Sequence, residues 1–448
     1  MNQWNDRDSE RLGFLFESGL SEQPFIRPLI QTAIFTGDRR ELDRYLAKNQ
    51  WLVEAARRQL VADKLLTAQC PFYPFPRTWE LQDLAGTIQL GIVNSRGEFF
   101  CIFPDSLPMH AMILGRTGTG KSWFNALVLY QLVQASGAGG FNVVVPDVKL
   151  FYRRLVGKVP NLNVLTFDRF IFNFLEIPEW MDPESFIFLF SRVFPADNLL
   201  GPPSQGLLIE ALWGLFIERQ IFEGSRNYGT LKTLYDYIKR LQGHKVLGFR
   251  YKDIFEAVFN RLRPYVFLEN NFGAPRGISH EVFTQENVVV ELPLNRISTE
   301  IHNFLVSWLA NLTYARNMEM GLRGNKLRTL FLVDEASTLL SASRERSDLG
   351  WIEPGITDVI RKGREFGLGL WLCSQESTSF TQVFRSNCLL KITFSLTDGE
   401  DVKEIKKSFG LNEEQKNYLY KLPDSPVAVC RHGSFEHPFL LEVPRLNA

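Results

Sequence analysis

The sequence lacks a net charge and has no long apolar run. Its 448 residues contain 50 Lys and Arg against 50 Asp and Glu, which excludes a uniformly basic coat for nucleic acid. A neutral total can still conceal a local basic channel, so it is only weak evidence against a DNA partner. No stretch approaches about 18 uninterrupted apolar residues, so no membrane-spanning helix is expected.

Cysteine and histidine are also scarce. The five cysteines show no C-x-x-C spacing, and the six histidines form no pair at metal-ligand spacing, so no zinc site or disulfide framework is indicated. The N-terminus, Met1 to Asp6, lacks the basic and apolar regions of a secretory leader. We therefore expect a cytoplasmic protein in a reducing compartment.

Glycine, in contrast, is concentrated in one place. Residues 115–122 read G-R-T-G-T-G-K-S, after the apolar run 110–114 and before the apolar run 123–130. This is the strand, glycine loop and helix of a phosphate-binding loop. The glycines let backbone N–H groups converge on a polyphosphate, and the helix adds its positive end. The candidate nucleotide-binding residues are Gly115, Thr117, Gly118, Thr119, Gly120, Lys121 and Ser122.

Two of these residues have distinct expected roles. Lys121 supplies a point charge to the β- and γ-phosphates, and the Ser122 hydroxyl suits a Mg²⁺ ligand. The loop therefore predicts a nucleoside triphosphate with Mg²⁺.

A second segment carries two adjacent acids at the end of an apolar strand, Leu330 to Glu335. Asp334 is placed to hold the Mg²⁺ shell, and Glu335 to act as general base toward a water. Alone, this pattern more often marks a strand that runs into a solvated turn; with the upstream loop it favours hydrolysis. The N-K-x-D base reader of GTPases and the L-S-G-G-Q signature of transporter ATPases are both absent.

A third segment, Arg361 to Gln375, contains an apolar strand at 368–373. Gln375 follows that strand and can sense the γ-phosphate through the attacking water; the alternative is a strand-end residue bonded to its own loop. Arg361 and Arg364 precede the strand. An arginine from a neighbouring subunit can stabilise phosphoryl transfer, whereas a solvated basic face is the common fate of such a pair.

The rest of the chain predicts an α/β protein in four segments. Residues 1–80 read as a helical extension, either an inert cap or a partner-docking arm, ending near a proline-rich linker at 71–76. Residues 81–174 begin with a hairpin at 87–93 and 98–103 and continue into a parallel α/β core. Residues 175–281 indicate a helical insertion whose phenylalanines form a packed core. Residues 282–448 complete the α/β core.

Several motifs in fixed order resemble the HerA/FtsK superfamily of ring-forming DNA-pumping ATPases. They are the entry into the phosphate loop at 107–122, the D-x-K motif at 145–149, the segment 172–178, the stretch 361–375 and the helix from 409 to 423. The resemblance covers roughly residues 85 to 445. It implies a RecA-like core with a mainly parallel sheet, and ATP with Mg²⁺ as the cofactors.

The resemblance also implies roles and partners. Lys121, Ser122, Asp334, Glu335 and Gln375 take the nucleotide roles given above, and Arg364 becomes the candidate trans-acting finger with Arg361 as second choice. The implied function is an ATP-hydrolysing hexameric ring that translocates DNA. The alternatives are an ATP-dependent scaffold or switch that docks a nuclease or other effector through the N-terminal arm, and a soluble coupling-type ATPase related to conjugation.

Overall fold

The structure of the protein is a computed structural model that describes residues 14–15, 20–22, 25–36, 40–50, 52–54, 56, 70–72, 75–83, 86–93, 97–244, 249–337, 339–340, 355–423 and 427–444. The chain divides into two compact units, Met1–Phe75 and Pro76–Ala448. In the described residues no helix is both long enough and apolar enough to cross a membrane.

The first unit is helical where it is described. It contains α1 (Arg27–Thr36) and α2 (Arg40–Lys48), preceded by a 3-10 turn at Leu20–Glu22. Leu42 and Leu46 lie one helical turn apart on α2 and are buried with Ile26 and Ile30, because i and i+4 positions share one helix face. Residues 57–69 of the predicted helical extension lie outside the described residues.

The second unit begins with α3 (Thr78–Asp83) and the predicted hairpin, β1 (Ile88–Val93) and β2 (Glu98–Ile102). The phosphate-loop unit follows as predicted: β3 (Ala111–Leu114), α4 (Lys121–Gly139), β4 (Asn142–Asp147) and β5 (Leu162–Leu165). β3 and β4 are buried along their whole length, which is typical of parallel strands covered on both faces.

Residues 175–281 contain helices and no strand where the structure describes them. The helices are α5 (Pro183–Asp197), α6 (Pro202–Glu218), α7 (Leu231–His244), α8 (Phe249–Phe267) and α9 (Glu269–Phe272). Most of the phenylalanines described in this segment pack into a buried core, as the sequence predicts, whereas Phe188 and Phe267 are exposed. Phe190 and Phe194 stack at 5.4 Å between ring centroids, and Phe304 packs edge-on against Phe194 at 5.0 Å. All three side chains are fully buried.

The core then resumes with alternating helices and strands. These are α10 (Val282–Gln285), β6 (Asn287–Glu291), α11 (Thr299–Glu319), β7 (Gly324–Val333), α12 (Thr357–Lys362), β8 (Phe366–Ser374), α13 (Gln382–Asn387), β9 (Leu390–Thr393), α14 (Gly399–Phe409), α15 (Glu413–Leu419), β10 (Val427–His432) and β11 (Phe439–Glu442). Helix α11 begins directly after Ser298, whose side chain caps it by accepting from the Ile301 N–H.

The eleven strands form one sheet in the order β2-β1-β11-β10-β9-β3-β8-β7-β4-β6-β5. The seven strands from β9 to β5 are parallel, and the remaining four pair antiparallel. The α/β fold class with a mainly parallel sheet is confirmed. The hairpin was predicted only as a leading element; the structure joins it through β11 and β10 to the edge of the core sheet.

Candidate functional site

The phosphate loop lies at the carboxyl end of β3, between two neighbouring strands. β3 pairs with β9 on one side and with β8 on the other, and β7 lies beyond β8. The residues that follow β3, β8 and β7 therefore meet at one edge of the sheet, where ligands gather in open α/β folds. This order brings Lys121, Gln375 and Asp334 to the same site.

The loop backbone takes conformations that favour glycine. Gly115 has φ of 148° and Gly120, which caps the start of α4, has φ of 97°. A Cβ at Gly115 would lie 2.7 Å from the Phe394 Cβ and 2.9 Å from the Thr119 Oγ1. The backbone at residue 115 therefore lies too close to Phe394 and Thr119 for a larger side chain.

Lys121 lies folded over the loop. Its Nζ donates to the Gly115 carbonyl and, at 2.8 Å, to the Arg116 carbonyl. Burial lowers the pKa of this ammonium, and the nearby negative charges of Asp334 and Glu335 oppose that shift. The two backbone carbonyls therefore hold the Lys121 Nζ at the loop.

Asp334 and Ser122 form the pair that the sequence predicts for a metal. The Ser122 hydroxyl donates to the Asp334 Oδ2 at 3.0 Å. The other oxygen, Oδ1, is buried and has no hydrogen-bond partner among the described residues. Burial raises the pKa of this carboxyl, and the charge of Lys149 lowers it in part. A buried carboxylate oxygen without a donor is suited to a cation.

Glu335 is held by two side chains. Its Oε1 accepts from the Gln375 Nε2 at 2.8 Å and from the Lys149 Nζ. Partial burial would raise the pKa of the Glu335 carboxyl, but these two bonds and the positive charges nearby lower it overall. The backbone is unusual too, since Glu335 has φ of 63°.

Gln375 joins the base to the phosphate loop. While its Nε2 donates to Glu335, its Oε1 accepts from the Thr117 hydroxyl at 2.7 Å. The side chain therefore bonds to two other segments of the site, not to its own loop as the alternative interpretation has it. Thr117, Gln375 and Glu335 form one continuous hydrogen-bonded chain across β3, β8 and β7.

Lys149 is the residue whose position the sequence did not reveal. In the sequence it is only the last residue of the D-x-K motif, to which no role is assigned. Asp147, at the end of β4, accepts from the Lys149 backbone N–H at 3.0 Å and so fixes the turn that directs the lysine toward Glu335. The motif marks the end of β4 in the sequence, but the contact becomes visible once β4 is known to pair with β7, since both strands end on the same side of the sheet.

Arg361 and Arg364 lie on the opposite side of the sheet, at the amino ends of the parallel strands. They belong to α12 and the 3-10 turn Gly363–Glu365, directly before β8 begins at Phe366. Both side chains are exposed and line a cavity of about 570 Å³ together with Met109, from the segment before β3. The nine residues of β8 span roughly 26 Å, so neither arginine can reach Lys121 of its own chain.

The comparisons with known proteins agree with this architecture. The family described as the central domain of the helicase HerA matches residues 89–312, which is half of the chain. The chain belongs to this HerA family. The resemblance expected from the motifs is thereby confirmed, and the protein is a P-loop NTPase of the HerA type.

Solved structures show the same fold at low sequence identity. VirB4 of Thermoanaerobacter pseudethanolicus is 17% identical, with a TM-score of 0.60 over 81% of this chain and 98% of that chain. The plasmid coupling protein TrwB in complex with ADP and Mg²⁺ is 15% identical, with a TM-score of 0.59 over 84% of this chain and 96% of that chain. No curated protein sequence matches the chain significantly.

Proposed function

We propose that the protein is an ATPase that assembles into a ring and uses ATP hydrolysis to translocate DNA. One observation carries the hydrolytic part: the hydrogen-bonded chain from Thr117 through Gln375 to Glu335 links the phosphate loop to a carboxylate placed to act as base. Membership of the HerA helicase family and the ADP and Mg²⁺ bound by the similar TrwB support ATP with Mg²⁺ as the ligand.

The residues present fit that ligand. The unpaired Asp334 Oδ1 and the Ser122 hydroxyl are the oxygen ligands that Mg²⁺ prefers, and Lys121 supplies the charge for the β- and γ-phosphates. We assign the contacts with the phosphates to the loop from Gly115 to Gly120. When bound, Mg²⁺–ATP supplies a γ-phosphoryl group whose developing charge the site must stabilise.

Glu335 is the residue that we assign to proton abstraction. A carboxylate that is ionised at neutral pH can take a proton from a water, and Gln375 and Lys149 fix the direction in which its oxygens point. Gln375 also touches Thr117 of the phosphate loop, so a change at the loop is passed directly to the base. The pair thereby couples occupancy of the loop to the geometry of hydrolysis.

We infer the ring from the two arginines at the amino ends of the parallel strands. Since Arg361 and Arg364 cannot serve the nucleotide of their own chain, we assign them to the site of a neighbour, with Arg364 as the first choice. Head-to-tail contacts of this kind close into rings, and six subunits is the size that the family resemblance implies.

DNA is the proposed substrate of the motor. The family is that of a helicase, and TrwB is a conjugative coupling protein. A neutral chain can hold DNA through phosphate contacts in the ring channel, which do not depend on sequence. A cytoplasmic location and effector docking through the N-terminal helices stay predictions.

The test is ATP hydrolysis by the purified full chain with and without linear duplex DNA, with Lys121→Ala as the inactive control. We expect stimulation by DNA, and sizing in the presence of ATP should show a ring. Hydrolysis that ignores DNA but responds to a partner protein would support the scaffold or switch instead, and a monomer under all conditions would refute the ring.

A further inference from the structure

An exposed surface of two aromatic rings and one guanidinium lies beside the phosphate loop. Trp123, directly after Ser122, keeps 41% of its surface exposed. Its ring meets the Phe151 ring edge-on, with 5.5 Å between centroids and an interplanar angle of 88°. The Arg154 Cζ lies 4.3 Å from the Phe151 centroid and 5.3 Å from the Trp123 centroid. We call these three residues the indole surface.

The loop that carries Phe151 and Arg154 is firmly anchored. The Asp147 Oδ2 accepts from the Tyr152 N–H at 2.9 Å, and Tyr152 is fully buried. Arg153 forms a two-pronged ion pair with Glu291 at 2.6 and 2.7 Å. Arg154, next to it, has no carboxylate partner among the described residues and rests on the rings. The indole surface is therefore preformed and its cation is available to a ligand.

The position of Trp123 along the loop fixes what it can touch. The first backbone N–H groups of a helix have no acceptor within the helix, and in α4 the Phe124 N–H is the one that bonds back to Gly120, at 2.9 Å. The N–H groups before it face the polyphosphate, with Lys121 assigned to the β- and γ-phosphates. Trp123 comes after these, at the end nearer the α-phosphate, where the rest of a nucleotide must extend.

The structure assigns the indole surface to the nucleobase of the bound nucleotide, as a stacking platform. This inference rests on the proposed function and names the part of the ligand that the phosphate loop does not hold. Aromatic and guanidinium planes bind the faces of bases, and large purine rings offer the most area. The larger stacking area favours purines over pyrimidines. Because the surface offers donors and no acceptors, it discriminates weakly between adenine and guanine.

The test compares ligands with and without a base. Dissociation constants for Mg²⁺–ATP and for Mg²⁺–tripolyphosphate, which has phosphates only, are measured on the full chain and on Trp123→Ala. We expect the substitution to weaken ATP about tenfold, which is about 1.4 kcal/mol, and to leave tripolyphosphate unchanged. Trp123→Phe should retain most of the ATP affinity.

The matched control is Tyr130→Ala. Tyr130 is 42% exposed on the same helix, seven residues further along, and should change neither affinity. An equal loss for ATP and tripolyphosphate in Trp123→Ala, or no loss for either, would overturn the platform while leaving the phosphate site intact. If the unsubstituted protein binds neither ligand, the proposed function itself fails.

Discussion

The two ends of the parallel strands, called here the carboxyl edge and the amino edge, differ in the residues that they bring together. At the carboxyl edge, side chains after four strands meet in one bonded network that includes Lys149, Gln375 and Glu335. At the amino edge, Arg361 and Arg364 line an open cavity and touch no part of that network. One edge holds a bonded network beside the phosphate loop, and the other exposes two arginines. The difference supports the proposal that each hydrolytic site is shared between two chains.

The largest effect should come from the base at the carboxyl edge. We expect Glu335→Gln to lower the turnover number by about 10²–10⁴-fold, because an amide cannot accept the proton of water. ATP affinity should change little, since the phosphate loop is untouched. Glu376→Gln is the matched control and should keep full turnover, because this carboxyl is exposed and follows Gln375 directly in sequence. An equal loss of turnover in both variants would argue against Glu335 as the specific base.

A substitution of Lys149 should have a smaller effect, and it tests the contact between Lys149 and Glu335. Loss of a charged hydrogen bond to the base should lower the turnover number of Lys149→Met roughly tenfold to a hundredfold. The Michaelis constant for ATP should stay the same, and Lys149→Arg should recover part of the rate. In the double variant with Glu335→Gln, the lysine substitution should add little. Full additivity in that cycle would mean that Lys149 acts independently of Glu335.

Much of the carboxyl edge could be predicted from the sequence. The phosphate loop, the Asp334–Glu335 pair and Gln375 each follow an apolar strand, and parallel strands end at one edge. The amino edge could not be placed that way, because the sequence shows only that Arg364 precedes β8. The distance across the sheet becomes clear once β8 is known to lie between β3 and β7.

The antiparallel part of the sheet was harder to predict. The hairpin of β1 and β2 was recognised from its alternating residues, but its partner β11 lies about 350 residues away in sequence. Register between such distant strands depends on tertiary packing, which local patterns do not encode. Lys149 is similar: its motif was visible, while its contact with Glu335 depends on β4 and β7 being neighbours.

The smallest effect concerns the shape of the phosphate loop. In Gly115→Ala the new Cβ would crowd Phe394 at 2.7 Å, so we expect a loss of about 1–3 kcal/mol in unfolding free energy and weaker triphosphate binding. Gly137→Ala is the control, because nothing lies within 4 Å of its added Cβ within α4. That change should raise stability by about 0.5–1 kcal/mol. Thermal unfolding and ATP titration are measured for both variants. Unchanged ATP binding in Gly115→Ala would contradict the claim that close packing around Gly115 shapes the phosphate loop.

The most direct test of a site shared between two chains is subunit mixing. Arg364→Ala subunits keep an intact carboxyl edge but lack the arginine, and Glu335→Gln subunits keep the arginine but lack the base. Each variant alone should hydrolyse ATP at a rate lowered by at least about 10²-fold. Mixed rings should regain a substantial fraction of the lost activity, because some intact sites then face an intact arginine. No recovery on mixing, with mixed rings demonstrated, would contradict the account.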